Sequence, residues 1–538
     1  MRQSLLAPLL GAALALSADP PSPSAWKPYD LGTHHRAVST RSAEAQKAFD
    51  QGLLWSFAFN HDEAERAFRE AARLDPGLAM AWWGIALVNG PHINNPTVDE
   101  AHAKTAWEAL GEAKKRLGSA SAVEKALVEA LGARYAMPQP ADRAPLDAAY
   151  AKAMAAVAAR FPDDADVAAL HAEALMDTRP WDQWTADGKP QPGTEETLAA
   201  LDAALKLQPD NPLALHLTIH ALEASPHPER AKAAADELRR LVPDASHLVH
   251  MPAHIDARVG DWAEAAAANE RAIEVDRRYR ERQKEIGFYR IYMAHNVHFL
   301  AFTAMMEGRS TVALAKTQEV LKGFSPDWVK ENAVFADAFT TVHWDALKRF
   351  GRWDDILKTP PLVPGLPVST AYGHFVRAVA YSALGKLEDA EKEQASFAAA
   401  VKDVPKEMLW GSNPAAAVLG VAEPYLAGEI AYRKGKLDEA IGKLREAVKR
   451  EDALKYDEPP DWTVPSRHAL GAVLLEAKRP AEAEAVYRED LVRWPENGWS
   501  LYGLAQSLRA QEKPADDVDA RFKTAWAAAD VSLSRSRF

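Results

Sequence analysis

Seven histidines and one glutamate fall between residues 216 and 298, in the segments HLTIHALE, HLVHMPAH and HNVH. His216, His220 and Glu223 are spaced i, i+4 and i+7, so on a helix they share one face. His247, His250 and His254 follow at i, i+3 and i+7, and His295 and His298 at i, i+3. Imidazoles with a carboxylate suit Zn²⁺, Cu²⁺ or non-haem iron. The chain has no cysteine, so thiolate ligation, disulfides and cysteine nucleophiles are excluded, and a metal must be held by His, carboxylate, backbone or water. Many imidazoles and few carboxylates lean toward zinc or copper, with iron a further option. Zinc would ionise a bound water near neutral pH for attack on an ester, amide or phosphoryl group, with Glu223 as general base; that is a metal-dependent hydrolase. Copper would suggest an oxidoreductase, with Tyr289 and Tyr292 beside His295 as redox or supporting groups, although the reading favoured for both tyrosines is core or groove wall. HLTIH lacks the glutamate that follows the first histidine of HExxH, so the metalloprotease mechanism is not supported, and no P-loop, dinucleotide fingerprint or GxSxG elbow is present.

The elements that must position these residues are helices. A chain of 538 residues that is 48% apolar and 26% charged can bury a large core. Its Ala, Leu and aromatic residues recur at helical spacing with few β-branched runs, which indicates an all-α protein. From Ala43 the spacing becomes that of a repeat: Gly52, Trp55, Ala64, Phe68, Ala71 and Pro76 follow the pattern in which small residues let two helices cross closely and aromatics fill the gap. On these residues the chain resembles the tetratricopeptide-repeat (TPR) family. LDAAYAKAMAAVAARFP, TLAALDAALKLQPDNP and RAKAAADELRRLVPDA resemble its outer helices. ARVGDWAEA, YSALGKLEDA, YRKGKLDEA and LEAKRPAEA resemble its turns. The resemblance covers about residues 43–530 and implies a right-handed superhelix of helix hairpins, an α-solenoid. HLVHMPAHIDARVG and HNVHFLAF also resemble bacterial exported TPR proteins with histidine-rich inner helices. Ordinary TPR proteins are scaffolds that take an extended peptide in the groove, so a non-catalytic partner-binding role stays open beside a small-molecule substrate.

The repeat frame gives a register. Gly260 and Gly308 fall at turns between inner and outer helices, and Pro226 marks the turn before, since 260 − 226 = 34 is one repeat length. His216, His250 and His298 are each ten residues before a turn, His220 and His254 six, His247 and His295 thirteen. The resemblance implies that these places face the concave groove from three neighbouring inner helices. Packed helices lie about 8–10 Å apart, so a single ion is not expected to use all the histidines: the expectation is one or two ions, either one site with spectator histidines or two sites. The expected partition is His216, His220, Glu223 and His254 around one ion and His247, His250, His295 and His298 around another. Glu173 lines up with His220 through Pro162 and Pro209 and is a candidate for a further carboxylate from the preceding helix; His343, His374, His171, His61, His102 and His227 are expected to be packed or solvated, with His92 and His468 weaker candidates.

Residues 1–18, MRQSLLAPLLGAALALSA, have the Arg, short apolar run and small-residue end of a signal peptide, implying a periplasmic or secreted protein. No stretch is long and apolar enough for a membrane-spanning helix. Removing the leader takes away Arg2, so the formal charge goes from −12 to −13, which with no basic patch argues against nucleic acid. Residues 19–42 are expected to be an extended arm in which His34 and His35 could reach a site. TPR arrays are expected over 43–309 and 310–538. GPHINNP at 90–96 and PWDQWTADGKPQPG at 180–193 are insertions able to lid the groove, 357–373 is a Pro-rich hinge or surface loop, and the tail after Ala529 is expected to fray.

Overall fold

Phe68 sets the packing unit. It projects from the helix His61–Leu74 between Gly52, on the helix Ala43–Phe57, and Gly84, on the helix Ala79–Val88. A Cβ at Gly52 or Gly84 would lie 2.6 or 2.5 Å from its ring, so only glycine lets the three helices close on the aromatic. The same arrangement recurs near the other end, where Tyr487 sits between Gly471 and Gly503, with prospective Cβ contacts of 2.3 and 2.1 Å. In the computed structural model, which describes residues 27–284 and 286–538, hairpins of this type follow one another from Ala43 to Ala525. The described residues are helical apart from loops and one short antiparallel pair, Leu409–Trp410 with Asn413–Pro414. The fold is an all-α solenoid of TPR-type hairpins. No helix among the described residues is long and apolar enough to cross a membrane.

The turns read from sequence adopt the left-handed backbone such reversals need: Gly260, Gly308 and Gly385 have φ of 89°, 74° and 74°, and Lys478 has 62°; Gly351, with 62°, makes a further one. Two elements differ from the sequence reading. The outer helix expected over RAKAAADELRRLVPDA is reduced to a 3₁₀ turn, Pro228–Ala231, and a short helix, Lys232–Leu238. The inner helix carrying HLVHMPAH is divided at Met251 into Ser246–His250 and Pro252–Val259, because Pro252 has no N–H to donate back.

The far end of the chain folds back onto the middle. Trp262 Nε1 donates to Pro495 O at 2.9 Å and Trp499 Nε1 to Met305 O at 2.9 Å. One apolar cluster combines Trp262, Phe299, Phe302 and Met305 with Phe350, Trp494 and Trp499, so residues on both sides of position 310 share a core. The tail does not fray. Asp530 accepts from Ser310 N and Thr311 N at 2.6 and 2.9 Å, capping the helix Ser310–Lys322, whose own N-cap residue supplies no side-chain bond. Beyond it, Ser536 bonds His468 O at 2.7 Å and Arg537 pairs with buried Glu429. The Pro-rich stretch 357–373 is a loop leading into the helix Pro367–Ala383, with Val363 buried.

The leader, residues 1–18, and the start of the arm lie outside the described residues. From Lys27 the arm crosses the starts of successive inner helices. Ser39 N donates to Glu124 at 2.7 Å, Arg36 Nη1 and Nη2 grip Asp164 at 2.8 and 3.0 Å, and Asp30 N donates to Asp244 at 2.9 Å.

Candidate metal centre

Helix Pro212–Leu222 presents His216 and His220, the divided helix after it presents His247, His250 and His254, and helix Arg290–Met306 presents His295 and His298. The first five are 0–4% exposed and Glu223 1%; His295 is partly exposed. Their contacts follow a rule set by the repeat. The histidine ten residues before one turn meets the histidine thirteen before the next: His216 Nε2 is 3.1 Å from His247 Nε2, and His250 Nε2 is 3.1 Å from His295 Nε2. The histidine six before the turn completes each group, so His216, His220 and His247 form one triple and His250, His254 and His295 another, with the ligand atoms of each within 4.8 Å of one another.

This grouping differs from the expected partition. His247 goes with the first helix and His254 with the third, because an imidazole thirteen residues before its turn sits low on its helix and leans toward its predecessor. His298 is in neither triple. The position thirteen before the next turn is Ala338, so no imidazole awaits His298, and its ring packs edge-on against Phe339 at 5.0 Å.

The outer nitrogens are held by hydrogen-bond acceptors. His216 Nδ1 donates to Phe57 O at 2.8 Å, His220 Nδ1 to Glu223 Oε1 at 2.9 Å, and His250 Nδ1 to Asn269 Oδ1 at 2.7 Å. Asn269 orientation is fixed in turn because its amide donates to Ala265 O at 2.8 Å. An acceptor on Nδ1 fixes the tautomer and leaves a lone pair on Nε2, as in histidines that bind metals. His254 Nδ1 lies 2.7 Å from both Glu223 Oε2 and Glu458 Oε2, aligned as a hydrogen bond with neither. His250 Nε2 and His254 Nε2 then face each other at 2.7 Å. Tetrahedral zinc with nitrogen ligands at about 2.0–2.1 Å spaces those nitrogens about 3.3 Å apart, close to the separations here.

Glu223 therefore occupies the outer side of the site. It contacts one imidazole from each triple, His220 at 2.9 Å and His254 at 2.7 Å. Glu458, with no counterpart in the sequence reading, comes from the loop between the helices Leu437–Asp452 and Ser466–Glu476. With Glu223 and His254 it makes a third group able to hold a cation. Arg258 ties this corner together, donating to Glu223 O at 2.9 Å and Arg493 O at 3.2 Å.

Burial first, and the neighbouring imidazoles second, hold His247 and His250 well below the ordinary imidazole range; burial does the same for His216. Burial also lowers His298, to about 4. His254 goes the other way: burial pulls it down, but Glu223 and Glu458 outweigh that and raise it to about 10. Glu223 is lowered because His220 and His254 overcome its burial, whereas burial raises Glu458 against the pull of His254.

Both insertions reach the first triple. Trp181 presents its edge to the His220 ring at 5.5 Å and donates Nε1 to Asn94 Oδ1 at 3.1 Å, so the two loops meet above His220. Trp181 has φ of 57°, a strained conformation for a bulky residue. Trp184 Nε1 anchors the same loop to Ala221 O at 2.7 Å. Phe59, in the first repeat turn, was not singled out by sequence; its ring lies 4.6 Å from His216, 5.6 Å from His247 and 4.3 Å from His92. His92 and His61 pack together behind it at 4.6 Å. Tyr292 packs on His247 at 4.6 Å, and Tyr289 OH accepts from His247 N at 3.1 Å, so the tyrosines form the wall.

The remaining histidines have other partners. His34 Nε2 pairs with Asp166 at 3.2 Å and His35 with Asp50 at 2.8 Å, so the arm histidines hold the arm to the helices and do not join the triples. Glu173 lies in a buried acidic corner with Arg134 and Asp177. His343 bonds Thr317, His374 bonds Glu393 and His468 bonds Asp490. His102 and His227 make exposed pairs with Asp99 and Glu229, and His171 is partly exposed.

No protein-family model and no curated protein matches the sequence. Among solved structures, a human IFIT1 dimer with m7Gppp-AAAA aligns over 91% of this chain and 91% of that one at 13% identity, TM-score 0.34. The Cut9–Hcn1 hetero-tetramer of the APC/C aligns over 90% and 78% at 12%, TM-score 0.30, and yeast Tom70 over 90% and 91% at 11%, TM-score 0.27. Scores this low carry no argument about function. By its own hairpin geometry the chain is a TPR-type helical solenoid, and three of its inner helices bring six histidines together.

Proposed function

We propose that this protein binds transition-metal ions, zinc or copper, through His216, His220 and His247 in one centre and His250, His254 and His295 in the other. The observation that carries this reading is the 2.7 Å approach of His250 Nε2 and His254 Nε2. His250 Nδ1 is committed to Asn269, so its Nε2 is a lone pair, and it also faces His295 Nε2 at 3.1 Å. One lone pair cannot align with two N–H donors at once, whereas one cation accepts several lone pairs. Sulfur-free imidazole ligation suits both metals. The leader-like residues 1–18 add an exported setting to this reading.

A second reading has its own support. His254 between two carboxylates fits an imidazolium, and a proton on its Nε2 would bond His250 without any ion. The TPR-type scaffold would then serve a partner, with the imidazoles as polar lining. Metal content decides between them. Protein purified without a histidine tag and dialysed against Zn²⁺, Cu²⁺ or Fe²⁺ is expected to retain at least about one ion per chain. Less than about 0.3 for every metal would overturn the first reading. The pair His220→Ala and His254→Ala should remove the metal and leave the helical circular dichroism.

A further inference from the structure

The two triples are copies of one design, one repeat apart. Each takes the histidines ten and six before a turn and the one thirteen before the following turn. The copies touch: the equivalent rings of His220 and His254 have centroids 6.0 Å apart, shorter than the roughly 8–10 Å between packed helix axes because the rings converge toward the concave side. Glu223 couples the copies, contacting His220 Nδ1 at 2.9 Å and His254 Nδ1 at 2.7 Å with its two oxygens. Both approaches are made at Nδ1, which leaves the Nε2 of each ring on the side away from that carboxylate. His220 Nε2 is buried with no hydrogen-bond partner.

Two centres on neighbouring repeats can share a ligand. A single bridging oxygen spans at most about 4 Å between ions, whereas a three-atom bridge, O–C–O or O–P–O, spans further. As metal ligands imidazoles bring no negative charge, so among the described residues of the site only Glu223 and Glu458 would offset two divalent ions, and an anion is favoured between them. We propose that the two centres work as a pair and bind one oxyanion, a carboxylate or a phosphate, across both ions. This rests on the metal reading above.

The test uses the full untagged chain loaded with two zinc ions and titrated calorimetrically with inorganic phosphate and, separately, with acetate. One anion per chain is expected, and whichever of the two binds more tightly identifies the oxyanion class. The pair His216→Ala and His247→Ala, which keeps the second triple, should retain one zinc and lose anion affinity at least about tenfold. Two anions per chain, no measurable anion binding, or undiminished affinity in the one-zinc variant would overturn the pairing while leaving metal binding intact. Failure of the parent chain to hold zinc would overturn both. If the variant does not fold, the anion-to-zinc ratio of the parent chain decides alone.

Discussion

His254 Nδ1 stands 2.7 Å from Glu458 Oε2, although the two belong to opposite halves of the chain. The contact makes the histidine site a property of the closed solenoid, since the loop bearing Glu458 arrives only when the later hairpins fold back on Trp262 and Met305.

Replacing Glu458 with Ala should weaken metal binding. A carboxylate behind a ligating imidazole orients it and raises its basicity, and losing one costs about 10–100-fold in affinity. Competition with a chelator of known affinity measures this, with Glu229→Ala on an exposed pair as the control. Equal affinities in the two variants would show that Glu458 has no hold on the site.

Trp181 should govern exchange rather than affinity. Trp181→Gly removes the ring over His220 and suits the left-handed backbone at that position. Release of metal to excess chelator is expected to speed up by about tenfold or more with little change in the dissociation constant, the mark of a barrier that acts on both directions. An unaltered release rate would mean that ions leave by another way, past His295.

Acid should loosen the arm. Burial would raise Asp166, but His34, Arg36 and Asn211 outweigh it and hold the carboxyl at about 2, below its ordinary 3.8. A lowered folded-state value stabilises fully above the unfolded pKa and is lost as pH falls through the folded one, here from about pH 4 to about pH 2. Asp166→Asn should therefore cost on the order of 2 kcal/mol at pH 7. The gap from the parent chain in urea melts should shrink across that acid window; a gap independent of pH would refute the assignment.

The tail should be essential to stability. Arg537 and Glu429 are both buried, and removing one partner of such a pair costs about 3–5 kcal/mol. Arg537→Ala is expected to lower the melting temperature by several degrees, whereas Lys513→Ala on the surface should barely move it. Matching melts for the two would mean that the tail docks without contributing.

The hairpin fold was legible because its demands are local. Gly52 and Phe68 carry the crossing in their own identities, and Gly260 and Gly308 mark reversals that only a left-handed backbone makes. Counting from those turns brought the histidines to one side of three helices, but their grouping depends on lean and height, which spacing does not encode. His247 and His254 therefore changed groups. Glu458 carried no signal, since DEPPDW has no period and its approach depends on a closure made by Trp494 and Trp499. The tail was misjudged for a similar reason: SLSRSRF has little apolar content, and it is retained by Asp530 at a helix start and by Arg537 in an ion pair.

Because the imidazoles precede Glu458 in the sequence, synthesis from the N-terminus delivers a histidine-rich nascent segment before its last carboxylate exists. Any ion met at that stage finds only a partial cage. On the metal reading, full retention would wait for the finished polypeptide, so loading would follow completion and would not be a step along the way.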